Sequence, residues 1–217
     1  MAYNFREVLR GKKTLEYARN DVRRLLNEID DNLFPYGKIG TNVAELARHL
    51  MIRSESPCYA KLICSTCKKS DIANPPENFM HLTNSQTKSV NAWFQNWQEE
   101  PSIDCQDCHM RQYVIRKFTT PPELLMFSLN VSGILISKTI RVKGANNKDT
   151  VLPLKGIVYS GDFHFTSRII SDKDVWFHDG MTTKSKCHKE GHITDFSDKT
   201  FMTRLNTHAV LVIYAKK

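Results

Sequence analysis

No apolar run in the 217-residue chain approaches the roughly 20 residues that a membrane helix needs; the longest, such as Val210–Tyr214 and Leu124–Phe127, stop far short. A membrane-spanning role is therefore not expected. Met1–Lys13 alternates charged and apolar residues and lacks the apolar core of a secretory signal, which makes an intracellular setting, cytoplasm or nucleus, the expectation, with reduced cysteines. The chain also has no internal repeat and no low-complexity tract, so one mixed domain is the simplest partition. Missing as well is any basic cluster interleaved with aromatic residues. The net charge is +8, and a basic chain gains affinity for nucleic acid by releasing counterions from phosphates. Yet residues 71–123 hold four basic residues, Lys88, Arg111, Arg116 and Lys117, against seven acidic ones, and the excess is scattered through the flanks. That distribution fits a solvated surface, and no nucleic-acid partner is expected.

A hydrophobic content of 41% suffices for an ordinary core. Val22, Leu25, Leu26, Ile29 and Leu33 recur at helical spacing, as do Val43, Leu46, Ala47, Leu50 and Met51. Asn42 followed by Glu45 has the form of a reciprocal cap, which starts the second helix there. After Pro57 an extended run, Tyr59 to Ile63, leads into Cys64, and residues 71–88, polar and carrying Pro75 and Pro76, read as a long loop. Val90, Trp93, Phe94 and Trp97 fit either a short amphipathic helix or an aromatic strand. From Tyr113 the pattern is β: residues 113–118, 124–131, 134–140, 156–159, 165–170, 175–178 and 208–215. Helices followed by a run of strands predict an α+β fold.

Cys64-Ser-Thr-Cys67 and Cys105-Gln-Asp-Cys108 are two Cys-x-x-Cys units separated by 37 residues. Each places two thiolates on one side of a tight turn, and two such turns facing each other complete a tetrahedron. Sulfur donors suit zinc, and a closed four-sulfur shell leaves no position for water, so the prediction is one structural Zn2+ held by Cys64, Cys67, Cys105 and Cys108. His109, adjacent to Cys108, is read as a bystander. The motif by itself names no function, because zinc ribbons occur in many unrelated proteins.

Beyond the second cysteine pair come Ile115-Arg-Lys-Phe-Thr-Thr-Pro-Pro-Glu-Leu-Leu-Met-Phe-Ser-Leu-Asn130, Leu154-Lys-Gly-Ile-Val-Tyr-Ser-Gly161, His164-Phe-Thr-Ser-Arg168, Val175-Trp-Phe-His-Asp179 and Ala209-Val-Leu-Val-Ile-Tyr214. In this order and at these spacings the segments resemble the ubiquitin-specific proteases, and Asn42-Val-Ala-Glu-Leu46 is similar to a helix of that family, so the likeness runs from about residue 20 to the C-terminus. The resemblance implies a papain-like fold over 1–217: a helical thumb remnant at 1–55 (the thumb being incomplete), zinc-binding fingers at 56–123 and a palm at 124–217. It further implies a thiol-dependent deubiquitinase with ubiquitin or a ubiquitin-conjugated protein as partner. His164 stands at the position of the family's general base and Asp179 at that of the acid orienting it.

Three features depart from the family pattern. Phe163 stands where a Gly normally precedes the histidine, the spacing from Trp176 to Asp179 is one residue short, and no segment resembles the box that carries the nucleophilic cysteine. The first cysteine is Cys58, and neither it nor Cys187 follows an Asn or Gln at a helix start. Cys187 does lie among Lys184, Lys186, His188 and Lys189, surroundings that favour reactivity without making a catalyst. His178, His188, His192 and His208 show no pairing that suggests a second metal. The expectation is therefore a family member whose chain, taken alone, is catalytically incompetent. The alternatives are an inactive ubiquitin-binding or protein-interaction pseudoenzyme and a zinc-ribbon nucleic-acid binder; oligomeric state is not legible.

Overall fold

A computed structural model describes residues 7–8, 10–37, 40–51, 58–73, 79–82, 87–131, 133–146 and 148–216. The architecture is α+β, and the chain forms two compact units, Met1–Leu50 and Met51–Lys217. Among the described residues no helix is long and apolar enough to cross a membrane.

In the first unit α1 (Leu15–Ile29) is capped by Thr14, whose hydroxyl accepts the Tyr17 N–H at 3.1 Å. The apolar spacing continues to Leu33, but the helix ends at Ile29. Asp30 Oδ1 accepts the N–H groups of Asn32 and Leu33 at 3.0 and 2.9 Å, and this side-chain turn replaces the next helical bonds. Helix α2 (Val43–Met51) starts as the sequence suggests, with Asn42 Oδ1 accepting the Ala44 N–H at 2.8 Å. Glu45 does not return to the cap; it pairs with Arg48 at 3.1 Å.

The second unit contains two sheets. One has the order β2-β1-β5-β4 and is antiparallel throughout: β1 (Cys58–Cys64), β2 (Ser70–Ala73), β4 (Glu99–Asp104) and β5 (Arg111–Phe118). The other runs β11-β10-β9-β8-β13-β6-β3. Its strands are β3 (Phe79–Leu82), β6 (Leu124–Leu129), β8 (Thr150–Gly161), β9 (His164–Ser171), β10 (Asp174–His178), β11 (His188–His192) and β13 (Thr207–Ala215), with β7 (Thr139–Val142) on β8 and β12 (Thr203–Arg204) on β13. Only the β3–β6 pair is parallel among the described strands.

Several elements depart from the sequence reading. The expected loop at 71–88 contains the end of β2 and all of β3. β2 is a polar edge strand with no apolar alternation, and β3 pairs with β6, more than forty residues on, so neither has a local signature. Val90–Gln98 is helical (α3): Ser89 caps it by accepting the Ala92 N–H at 3.2 Å, and Val90, Phe94 and Gln98 are buried at four-residue spacing. Of the strand expected at 134–140, only Thr139 and Ile140 belong to β7; Ile134 and Ile136 are buried without a ladder. β8 begins six residues before the expected Gly156. Pro153 sits where the strand's partner is β7, before its pairing with β13 and β9 begins.

The core lies where α3 meets the second sheet. Phe94 makes edge-to-face contact with Phe127, which meets Tyr214 in the same way, at centroid distances of 5.4 and 5.8 Å. Tyr214 donates to the Ser137 carbonyl at 2.8 Å, which satisfies its buried hydroxyl.

Candidate functional site

The zinc site is built from two matching turns. Cys64 ends β1 and Cys67 closes the turn after it; Cys105 follows β4 and Cys108 closes the turn before β5. Backbone bonds Cys64 N–H to Lys69 O (3.0 Å) and Cys105 N–H to Met110 O (2.8 Å) staple the two turns at equivalent places. The residue after the second cysteine of each pair is left-handed, with φ 60° at Lys68 and 56° at His109. His109 is therefore the counterpart of Lys68, a turn residue and not a ligand.

The sulfur atoms lie within 4.8 Å of one another, with Cys64–Cys108 at 3.4 Å and Cys67–Cys105 at 3.7 Å. A tetrahedral zinc with sulfurs at about 2.3 Å separates them by about 3.8 Å. The Thr66 N–H, bonded to Cys64 Sγ at 3.4 Å, brings that thiol down to about 6. The Lys69 N–H acts the same way on Cys67, but the adjacent Cys64 and desolvation push Cys67 up to about 12. Sulfurs packed this tightly require a cation to be thiolates together. The donor set and spacing fit one structural Zn2+, held by Cys64, Cys67, Cys105 and Cys108.

The second constellation lies at one end of the larger sheet. Gly161 and His164 face each other across the β8–β9 hairpin, and the two linking residues, Asp162 and Phe163, have φ of 50° and 58°. This is the backbone of a two-residue turn that matches strand twist, made with residues less suited to it than Gly. Gly161 is required for another reason: a Cβ there would lie 3.0 Å from the Asn206 carbonyl oxygen and from Thr207 Cγ2. Phe163, which stands where the family pattern has Gly, is fully exposed at the hairpin tip.

Strand β10 runs antiparallel to β9, so its end returns to the start of β9 and delivers Asp179 to His164. His164 Nε2 and Asp179 Oδ1 are 2.7 Å apart. Asp179 is only 7% exposed, and a tight turn holds it: Thr183 N–H donates to the Asp179 carbonyl at 2.7 Å, and Thr183 Oγ1 accepts the Asp179 N–H at 3.1 Å. Its carboxylate also accepts the Met181 N–H on Oδ1 and the Thr182 hydroxyl on Oδ2, both at 2.9 Å. Burial acts to raise this acid, but the Met181 amide, His164 and Thr182 outweigh it and hold it at about 2. A carboxylate only accepts, so Nε2 donates, and Nδ1 is the basic atom of the neutral ring. Neither Thr182 nor the Met181 amide was legible in advance, because Thr-Thr in a polar loop carries no periodic signal.

The remaining thiols divide clearly. Cys58 is buried, and burial pushes it up to about 12, although Arg116 acts the other way. Cys187 is exposed just ahead of β11, and no hydrogen bond joins it to His164 or Asp179 among the described residues. His178 Nε2 lies 2.9 Å from the Lys184 carbonyl and His192 caps the 3-10 turn Ile193–Asp195. Among the described residues the four cysteines are the only group placed to hold a metal.

No protein-family model matches the chain, and no curated protein does. Solved structures of a SAGA DUB module are similar to it. A chain of the Ubp8/Sgf11/Sus1/Sgf73 module bound to monoubiquitin matches with 15% identity and a TM-score of 0.49, over 73% of this chain and 39% of that one. One from the module bound to ubiquitin aldehyde gives 14% and 0.48, over 73% and 40%. A yeast SAGA DUB module chain gives 16% and 0.48, over 81% and 45%. This chain thus spans about two-fifths of the length of the chains it matches.

Proposed function

We propose that this chain is the fingers and palm portion of a ubiquitin-specific-protease-like domain, in which His164 is the general base and Asp179 the acid that orients it. The observation that carries the reading is the 2.7 Å bond from Nε2 to Oδ1, made at a sheet end by the two residues that the family resemblance singles out. In this reading Nδ1 accepts the proton of a thiol, the thiolate attacks the carbonyl carbon at the ubiquitin C-terminus, and the imidazolium returns the proton to the leaving amine. Asp179 fixes the ring with its proton on Nε2 and stabilises the positive charge that forms. The zinc holds the two turns of the fingers together and takes no part in the chemistry. Ubiquitin, or a protein conjugated to it, is the partner, bound by the fingers and palm in an intracellular compartment.

The thiol inventory favours a non-catalytic form of the same reading for these 217 residues taken alone. Four cysteines surround the metal site, Cys58 is buried and held protonated, and Cys187 has no bond to the His164 pair. Cleavage therefore requires a thiol brought to Nδ1 by another polypeptide segment. The test is a ubiquitin carrying a C-terminal electrophile. No covalent adduct is expected with the chain alone, and an adduct should appear when a cysteine-bearing segment of the family type is supplied in trans or fused upstream. An adduct of the unmodified chain that vanishes in Cys187→Ala or Cys58→Ala would overturn the assignment and reveal a different nucleophile.

A further inference from the structure

We propose that Thr182 is a positioning residue for the His164–Asp179 pair, selecting the ring nitrogen that is left basic. This rests on the reading of His164 and Asp179 as base and orienting acid. The two carboxylate oxygens of Asp179 have unequal duties. Oδ1 meets His164 Nε2 at 2.7 Å and accepts the Met181 N–H at 2.9 Å, while Oδ2 accepts the Thr182 hydroxyl at 2.9 Å and has no other hydrogen bond among the described residues. The carboxylate plane is thus fixed at both ends. Loss of the hydroxyl frees the group to rotate about its Cβ–Cγ bond, and Oδ1 is then shared between an amide and an imidazole with nothing to hold the plane.

Thr182 is suited to this by its neighbours. Thr183 clamps the Asp179 backbone through a two-way hydroxyl contact, donating to the carbonyl at 2.8 Å and accepting the N–H at 3.1 Å, so the main chain of the turn stays in place when the Thr182 side chain changes. Thr182 is itself exposed. The pair of threonines divides the work: Thr183 sets the backbone and Thr182 sets the carboxylate. Oδ1 holds the Nε2 proton best while the carboxylate stays in plane, so the Thr182 hydroxyl acts on the tautomer through the carboxylate it orients.

The test is nitrogen-15 NMR of the His164 side chain in the full zinc-loaded chain at a pH where the ring is neutral, which requires neither thiol nor ubiquitin. The native chain should show the proton on Nε2 and a bare Nδ1. Thr182→Val should lower the ratio of the two tautomers about tenfold, and Thr182→Ser should restore it; zinc content and amide dispersion should be unchanged in both. An unchanged tautomer ratio in Thr182→Val would overturn the proposal while leaving the base assignment intact. A proton found on Nδ1 of the native chain would instead remove the base assignment itself, so the two failures are distinguishable. If Thr182→Val alters the amide dispersion, Thr182→Ala is read in its place with the same two outcomes.

Discussion

Asp179 shows how a single carboxylate can be both covered and ionised. Three donors compensate for its burial and hold it at about 2, below the ordinary value near 4. Because its folded value is depressed, its contribution to stability is complete above the unfolded value and is lost as pH falls through about 2. The gap in unfolding midpoint between the native chain and Asp179→Asn should therefore be constant down to about pH 5, shrink below about 4 and close near 2. A gap independent of pH would show that folding does not depress the Asp179 carboxyl. Phe163 presents the opposite situation: it has φ 58° and is wholly exposed, so it bears the cost of a left-handed backbone and buries nothing in return. Phe163→Gly is expected to raise stability by about 0.5–1 kcal/mol, the left-handed penalty less the extra chain entropy of glycine, as measured by denaturant unfolding. At this scale the four zinc ligands were legible from spacing alone. His164 and Asp179 were legible only through the order of motifs around them, since an isolated His and an isolated Asp carry no signal, and the hydroxyl and amide that complete the site were not legible at all.

The elements divide into those whose signal is local and those that other parts of the chain impose. The strand at 113–118 is rich in aromatic and β-branched residues, Tyr113, Val114, Ile115 and Phe118, with a turn beside it, and its expected start lies within two residues of the observed one. β3 exists because β6 offers a free edge, and α3 because Ser89 and the spacing of Val90, Phe94 and Gln98 agree; nine residues gave too short a window to separate it from a strand. The two zinc turns follow one geometry, with Lys68 and His109 as equivalent left-handed residues. His109→Ala should leave one zinc per chain, whereas Cys105→Ser should lose it, as read by metal analysis. Zinc is worth on the order of 10 kcal/mol in domains that are unfolded without it and less where a separate core exists. Its removal should therefore expose the amides of β1, β2, β4 and β5 to hydrogen exchange while those of β8, β9 and β13 stay protected. A further test at this scale concerns Glu190 on β11, which pairs with the buried Arg168 at 2.6 Å and with Arg204 at 2.7 Å; Arg168 also donates to Tyr159 Oη and the Thr200 carbonyl. Removing one partner of a buried pair leaves the other charge uncompensated. Glu190→Ala should accordingly cost about 3 kcal/mol in unfolding experiments.

For the molecule as a whole, two properties bear on the choice of partner. The +8 charge suits a nucleic acid, but the stretch 71–123, which holds the second half of the metal motif, is net acidic, and Arg116, Lys143 and Lys69 there and nearby are already paired with Glu100, Glu99 and Asp107. Under the proposed function the partner is ubiquitin, a reading carried by the order of the motifs and the bonded His164–Asp179 pair. The most direct measurement of that recognition is a titration of nitrogen-15-labelled ubiquitin with the zinc-loaded chain to near-millimolar concentration. Localised shift changes that include the ubiquitin C-terminal tail, weakened by Asp179→Asn at the tail signals, are expected. A ubiquitin spectrum unchanged throughout the titration would contradict the proposed function.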